Sequence, residues 1–370
     1  MNIYKKRYKT PPSIITTDSM KNNNNNKTSQ KPFISICTPT FNRRPFISTM
    51  IQCFMNQTYP RDRMEWIIVD DGTDKVEDII QAANIPQIKY VKLPSIYPLG
   101  KKRNYMHSLC KGDFIVYMDD DDYYPPERVE HAITSLQKNP KAMVAGSSII
   151  FIYFKHIQKM VQFGPYGPNH ATAGTFAFRK ELLKTTKYDD DANLAEERAF
   201  LKEYTVPMVQ LDPFKTILVF SHEHNTFDKR RLLNGQNKFM HDSTKTVEDF
   251  MKELKEASIK QFFMEGIDAA LRGYAPGLPA MKPDVIRQTV EIEKKRNDMM
   301  QQTMSQLTPI SINNADGTSK QLTMEEVLKM VQELQSNMQQ MGKTVEQQRV
   351  YMEYQAEYIR SFDPNYNEIE

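Results

Sequence analysis

The chain has 370 residues, 39% of them hydrophobic, and a formal net charge of +3. That length exceeds one ordinary domain, and that apolar content supports one sizeable core with polar appendages rather than two full cores. So small a net charge excludes the global field of a protein that coats nucleic acid or an anionic membrane, and recognition must be local.

Residues 1–32 contain the Asn22–Asn26 tract among Lys and Ser and cannot bury enough apolar surface to offset chain entropy, so a disordered tail is expected. Cys37, Cys53 and Cys110 are odd in number and widely spaced, without a CxxC pair, and read as small buried apolar residues in a reducing compartment. No stretch has the apolar core of a secretory signal or the roughly eighteen apolar residues of a membrane span, and a soluble cytoplasmic protein is expected.

From residue 33 the pattern alternates. "FISICTPT" is a β-branched run, and "PFISTMIQCFMNQ" has Pro45 at a first helical position with apolar residues at helical spacing. "EWIIVDDG" is a second buried strand, "DKVEDIIQAA" a helix, "QIKYVKL" a strand, "LGKKRNYMHSLC" a helix and "DFIVYMD" a further strand. Strands alternating with helices of this length predict an α/β, doubly wound, largely parallel sheet, whose ligand sits outside the carboxyl ends of the strands. Thr38 to Arg43, Asp70 to Thr73 and Asp119 to Asp122 all fall there.

After residue 141, "KAMVAGSSIIFIYF" and "KMVQFGPYG" read as a hairpin, "ATAGTFAFRKELL" as a strand leading into a helix, and "NLAEERAFLKEY" as a short amphipathic helix. The glycine- and proline-rich "QFGPYGPNHATAG" reads as a loop in the half that would hold a second substrate. The nucleotide-binding domain is expected over 33–240 and a helical extension over 241–310, with "GYAPGLPAMKP" as a linker. Over 320–362, Met324, Val331, Met338, Val345, Met352 and Ile359 lie seven apart, with Val327, Leu334 and Met341 three after the first three. That is the seam of a coiled coil, through which the chain would self-associate; a single amphipathic helix packed on its own domain is the alternative.

Four consecutive acids, Asp119 to Asp122, close a buried strand and repel one another unless a cation or hydrogen-bond donors hold them ionised. Along an extended chain Asp119 and Asp121 share one face while Asp120 and Asp122 turn away. A DxD pair of hard oxygen ligands suits Mn²⁺ or Mg²⁺ and leaves positions for substrate phosphates. A solvated acidic turn capping the next helix is the competing reading, although one carboxylate would suffice for that. Lys101, Lys102 and Arg103 open a helix, where anions bind readily, with a solvated basic face as the competing reading. His222 and His224 stand two apart after a strand and are secondary metal candidates. No GxxxxGK[ST] or GxGxxG occurs, which disfavours P-loop and dinucleotide enzymes.

The ordered set "ISICTPTFNRR", "WIIVDDGT", "LGKKRN…GDFIVYMDDDDYYPPERV" and "GTFAFRKELL…AEERAF" resembles the GT-A nucleotide-sugar-binding domain of glycosyltransferase family 2, over about residues 33 to 230. The resemblance implies that Thr38, Thr40, Arg43 and Asp70 or Asp71 hold the donor nucleoside, with Arg103 and Asp120 grouped among the nucleotide contacts. It implies metal binding by Asp119 and Asp121, foremost Asp121. The family's base is an acid on the acceptor side, usually the second of a Glu-Asp pair; here Glu196-Glu197 stands there, and Glu197 is assigned ahead of Glu196. The expected activity is metal-dependent inverting transfer from a nucleotide-diphospho-sugar, with UDP the commonest carrier, to a hydroxyl of a glycan, protein or small molecule. A nucleotidyltransferase of related fold and an inactive GT-A domain serving oligomeric assembly are the alternatives. The first lacks a glycine-rich loop after the first strand, and retained acids at the metal and base positions argue against the second.

Overall fold

The computed structural model describes residues 30–233, 237–306, 310–313, 319–322 and 324–362, so the tail read over 1–32 lies almost wholly outside the described residues. The chain divides into two compact units, Met1–Ile286 and Arg287–Glu370.

In the first unit β1 (Ile34–Thr40), α1 (Arg44–Met55), β2 (Met64–Asp70), α2 (Glu77–Ala83), β3 (Ile88–Lys92), α3 (Leu99–Leu109) and β4 (Phe114–Tyr117) alternate. α4 (Arg128–Lys138), β5 (Val144–Gly146), β6 (Ile150–Phe154), β7 (Lys159–Phe163), β8 (Ala177–Arg179), α5 (Glu197–Phe200) and β9 (Met208–Gln210) follow. The main sheet has the order β3-β2-β1-β4-β8-β5-β9. β1, β2, β3 and β4 are parallel, and β8 runs antiparallel between β4 and β5.

Side-chain alternation gives this sheet two buried faces. Ile34, Ile36, Trp66, Ile68 and Val116 join the cluster that contains Phe46 and Phe54 of α1 and Val129 and Ile133 of α4. Cys37, Ile67, Val69, Ile115 and Tyr117 join the cluster that contains Met106 of α3 and Phe200 of α5. A strand buried on both faces reads as a continuous apolar run, which is why "WIIVD" and "FIVY" look as they do.

β10 (Val219–Ser221) and β11 (Met240–Asp242) complete a second sheet of order β10-β6-β7-β11, so the hairpin expected after residue 141 is β6-β7. α6 (Ala257–Gln261), a π-helical turn over Phe262–Gly266 and α7 (Ile267–Leu271) come next. Their Ile259, Phe263, Ile267 and Leu271 belong to the α1 cluster, and the Phe263 ring stacks on Phe220 at 4.2 Å. These helices therefore share the first unit's core.

α8 (Pro283–Gln306) leads out of the first unit. In the second unit β12 (Ile310–Asn313) pairs antiparallel with β13 (Ser319–Leu322), and α9 (Met324–Phe362) runs 39 residues. Along α9, Val331, Leu334, Met338, Met341, Val345 and Met352 are exposed, Leu334 by 60% and Met338 by 71%.

Candidate active site

The carboxyl ends of β1, β2 and β4 open onto a cavity of about 440 Å³, a volume typical of small-molecule sites. Arg43, Asp71, Arg103, Asp119, Asp120, Asp121, Asp122, Glu196 and Glu197 all line it, although they come from five separate stretches of chain.

β4 ends at Tyr117, and the acids lie in the turn beyond it, so the alternation expected of an extended strand does not sort them. All four face the cavity. The aromatics that follow hold this turn in place. Tyr124 Oη accepts from the Asp119 backbone N–H at 2.7 Å and donates to the Gly174 carbonyl at 3.1 Å. Arg128, fully buried, donates to the carbonyls of Thr175 and Phe176 at 2.8 Å each, tying the start of α4 to the segment just before β8.

Burial pushes the four carboxyls up, and their environments then separate them. Asp119 is raised by burial although Arg103 opposes it, Asp120 is raised by burial to about 7, and Asp122 is raised well above the carboxylate range by burial. At Asp121 the His222 ring and the Arg43 guanidinium outweigh burial and hold the carboxyl well below that range. Arg43 Nη2 stands 3.5 Å from Asp121 Oδ2, and Arg43 Nε stands 3.6 Å from Asp120 Oδ1. Asp121 is thus the firmly ionised member.

His222 Nε2 lies 3.5 Å from Asp121 Oδ2 and 2.8 Å from Asn225 Nδ2. Burial lowers its pKa to about 4, which leaves it neutral near pH 7, the state in which imidazole binds a cation. Among the described residues no group of three or more His, Cys, Asp or Glu side chains is arranged to hold a metal. One firmly ionised carboxylate beside one neutral imidazole, with an Asp119 oxygen buried and without a hydrogen-bond partner, nevertheless fits a cation that takes its other ligands from substrate or water.

The donor-side residues separate into those at the cavity and those beneath it. Asp71 lines it, with Oδ1 accepting from Lys102 Nζ and Oδ2 from the Tyr97 N–H at 2.8 Å. Asp70 instead shapes its own loop, accepting from the Gly72 N–H at 2.8 Å and from Tyr90 Oη at 2.6 Å. Thr38 sits inside the sheet, donating to the Met118 carbonyl at 2.6 Å and accepting from Trp66 Nε1 at 2.9 Å. Thr40 is buried next to Asp120, and its carbonyl accepts from Lys102 at 3.1 Å. His224 turns away from the acids to the Tyr274 carbonyl at 2.7 Å.

On the opposite wall Glu196 accepts from Arg103 Nε at 3.2 Å, while Arg103 Nη2 reaches toward Asp119 at 3.8 Å over the Tyr117 ring. Glu197 has no ion pair among the described residues, and burial together with the Glu196 charge raises its carboxyl to about 7. Lys102, Lys229 and Lys282 also line the cavity. Lys102 stood in the basic run of α3, whereas Lys229 and Lys282 carry no local signal; only the folded chain returns them here.

A largely parallel sheet with a carboxylate-rich crevice at its strand ends is the arrangement expected of the GT-A fold. Residues 35–197 match the model of glycosyl transferase family 2, and this part of the chain is a glycosyltransferase domain of that family. An uncharacterized glycosyltransferase of Haemophilus influenzae is 32% identical over 120 residues, 31% of this chain and 47% of the relative. The poly(ribitol-phosphate) beta-N-acetylglucosaminyltransferase TarS of Staphylococcus aureus is 28% identical over 109 residues, 28% of this chain and 19% of the relative. Less than half the length of such relatives is matched. Among solved structures, S. aureus TarS 1-349 in complex with UDP-GlcNAc aligns with TM-score 0.43 and 16% identity, over 79% of this chain and 97% of that one.

Proposed function

We propose that the protein is a metal-dependent inverting glycosyltransferase that moves a sugar from a nucleotide-diphospho-sugar, UDP-linked, to an acceptor hydroxyl. The carrying observation is that a firmly ionised Asp121 beside neutral His222, and a Glu197 raised to about 7 with no ion pair among the described residues, line or adjoin one cavity. Asp71 and Arg43 would hold the nucleotide, and Arg103 would keep Asp119 and Glu196 in position. Asp121 and His222 would hold Mn²⁺ or Mg²⁺, with its other ligands supplied by substrate or water. Such a cation offsets the charge on the departing diphosphate.

Glu197 is assigned as the base because Glu196 is engaged by Arg103 and Glu197 is not. The acceptor oxygen bonds to the anomeric carbon as its proton passes to a Glu197 carboxylate oxygen. The bond from that carbon to the diphosphate oxygen breaks, and the nucleoside diphosphate leaves with the electron pair. Attack from the side opposite the leaving group inverts the configuration. Thr172, Ala173 and Gly174 line the cavity from the acceptor-side loop.

The exposed seven-residue seam of α9 supports self-association through a coiled coil. Deleting residues 320–370 should then lower the number of chains per particle in solution; an unchanged number would reject it. Among the described residues no helix is long and apolar enough to cross a membrane, and the three cysteines are buried thiols, which supports a reducing, cytoplasmic setting.

The test is incubation with Mn²⁺ and a panel of UDP-, GDP- and dTDP-sugars, with nucleotide release measured. Release that depends on the cation is expected from one donor class. No release from any donor, together with no cation-dependent thermal shift with any nucleotide, would overturn the reading.

A further inference from the structure

The segment 273–286 lies beyond the part of the chain matched to the family, yet it forms one wall of the cavity through Met281, Lys282, Pro283 and Val285. It is fastened to the donor-side loop at several points. Asn42 Nδ2 donates to the Pro276 carbonyl at 2.7 Å, Arg43 Nη1 to the Gly277 carbonyl at 3.3 Å, and Tyr274 Oη to Asp74 at 2.8 Å. A Cβ on residue 277 would stand 2.6 Å from the His224 ring and 2.9 Å from the Asn42 carbonyl, so only glycine permits this approach. The strap is a built feature of the site.

At its end Lys282 projects into the cavity. Arg43, Lys102 and Arg103 each face a carboxylate at ion-pair distance. Lys282 has no such partner among the described residues: its ammonium donates to Thr226 Oγ1 at 3.3 Å and lies 4.7 Å above the Phe41 ring. Asp71 and Asp120 act on it only from beyond ion-pair distance, and an ammonium so placed in a partly enclosed site is a receptor for an anion. In a nucleotide-sugar the nucleoside and sugar are in the main neutral, and the negative charge resides on the diphosphate.

We infer that Lys282 is a donor-binding residue whose ammonium pairs with the phosphoryl oxygens of the nucleoside diphosphate, delivered by the strap 273–286. This rests on the reading of the cavity as the donor site. Burial, with Arg43 and Lys102 nearby, pulls the Lys282 pKa down to about 7, and an arriving anion would restore its charge.

The test titrates the full chain with UDP, GDP, uridine and guanosine in Mn²⁺ buffer by calorimetry, for the unaltered protein and for Lys282→Met, Lys282→Gln and Lys282→Arg. Met keeps the aliphatic stem over Phe41, and thermal melts identify any variant that fails to fold, so that Gln can replace Met. Lys282→Met should weaken the bound diphosphate roughly tenfold while its nucleoside changes by less than about twofold, and Arg should restore most of the loss. Equal losses for diphosphate and nucleoside, or no loss at all, would reduce the strap to packing and overturn the inference. Failure of the unaltered protein to bind either diphosphate would instead overturn the donor-site reading itself.

Discussion

The two walls of the cavity are built by opposite means. On the donor wall, loops leave parallel strands buried on both faces, and charge pairs brace them: Lys102 with Asp71, and Arg43 with Asp120 and Asp121. On the facing wall Glu197 opens α5, a helix of four residues, with Ala195 before it at φ 53° and Lys202, Glu203 and Tyr204 after it at 49°, 56° and 60°. Each non-glycine residue in that left-handed region costs about 1–2 kcal/mol. The turn is held by the Glu203 N–H to the Arg198 carbonyl at 2.9 Å and by the Tyr204 ring stacked on His170 at 4.7 Å. Arg103 spans the two walls through Asp119 and Glu196. One wall is fixed by buried charge, where losing a partner is costly; the other stores strain beside the group assigned to move a proton.

Substitutions on the donor wall should produce the largest effects. Asp121→Ala removes the firmly ionised member of the four aspartates, and with about 4 kcal/mol of charge stabilisation lost, cation-dependent nucleotide release should fall roughly a thousandfold. Asp120→Asn, at a carboxyl already raised to about 7, should cost clearly less in the same assay. Full turnover in Asp121→Ala would remove the metal assignment and with it the contrast between the walls.

Glu197→Gln should lower kcat roughly a hundredfold, while the affinity for UDP measured by calorimetry stays unchanged. Equal loss of donor affinity would mean that the facing wall also grips the donor. A smaller effect is expected from pH. Glu197 must be ionised to accept a proton and its carboxyl is raised to about 7 in the free protein, so kcat/KM should rise with pH through about 7 and then level. That rising limb should be absent from the residual activity of Glu197→Gln, and a limb that persisted would assign the titration to another group.

The smallest effect concerns stored strain. Lys202 is exposed at φ 49°, so Lys202→Gly should stabilise the fold by about 1 kcal/mol in a denaturant titration. A loss of stability would show that the left-handed turn is held by contacts worth more than its strain.

The fold was largely legible because its signals are local. The helical period of "PFISTMIQCFM", the apolar runs of "WIIVD" and "FIVY" and the acids at their ends need only neighbours within a few residues to be read. The site was legible in its residue types but less so in their placement. Asp70 and Asp71 are adjacent and chemically identical; the turn that Asp70 organises through Gly72 and Tyr90 decides that Asp71 faces the cavity. Thr38 carries the residue type of a nucleotide contact, but Met118 and Trp66, each at least 28 positions away, occupy its hydroxyl inside the sheet.

The sequence by itself determined the alternating α/β order, the acid-lined strand ends and the family resemblance, because strand burial and turn chemistry are written in short windows. Tertiary structure alone decided that β4 stops at Tyr117 and turns all four aspartates inward, that Arg103 pairs with Glu196 rather than Glu197, and that a strap more than 200 residues beyond Arg43 returns Lys282 to the same cavity. Charge pairing and burial depend on which distant segments meet, and only the folded chain brings those segments together.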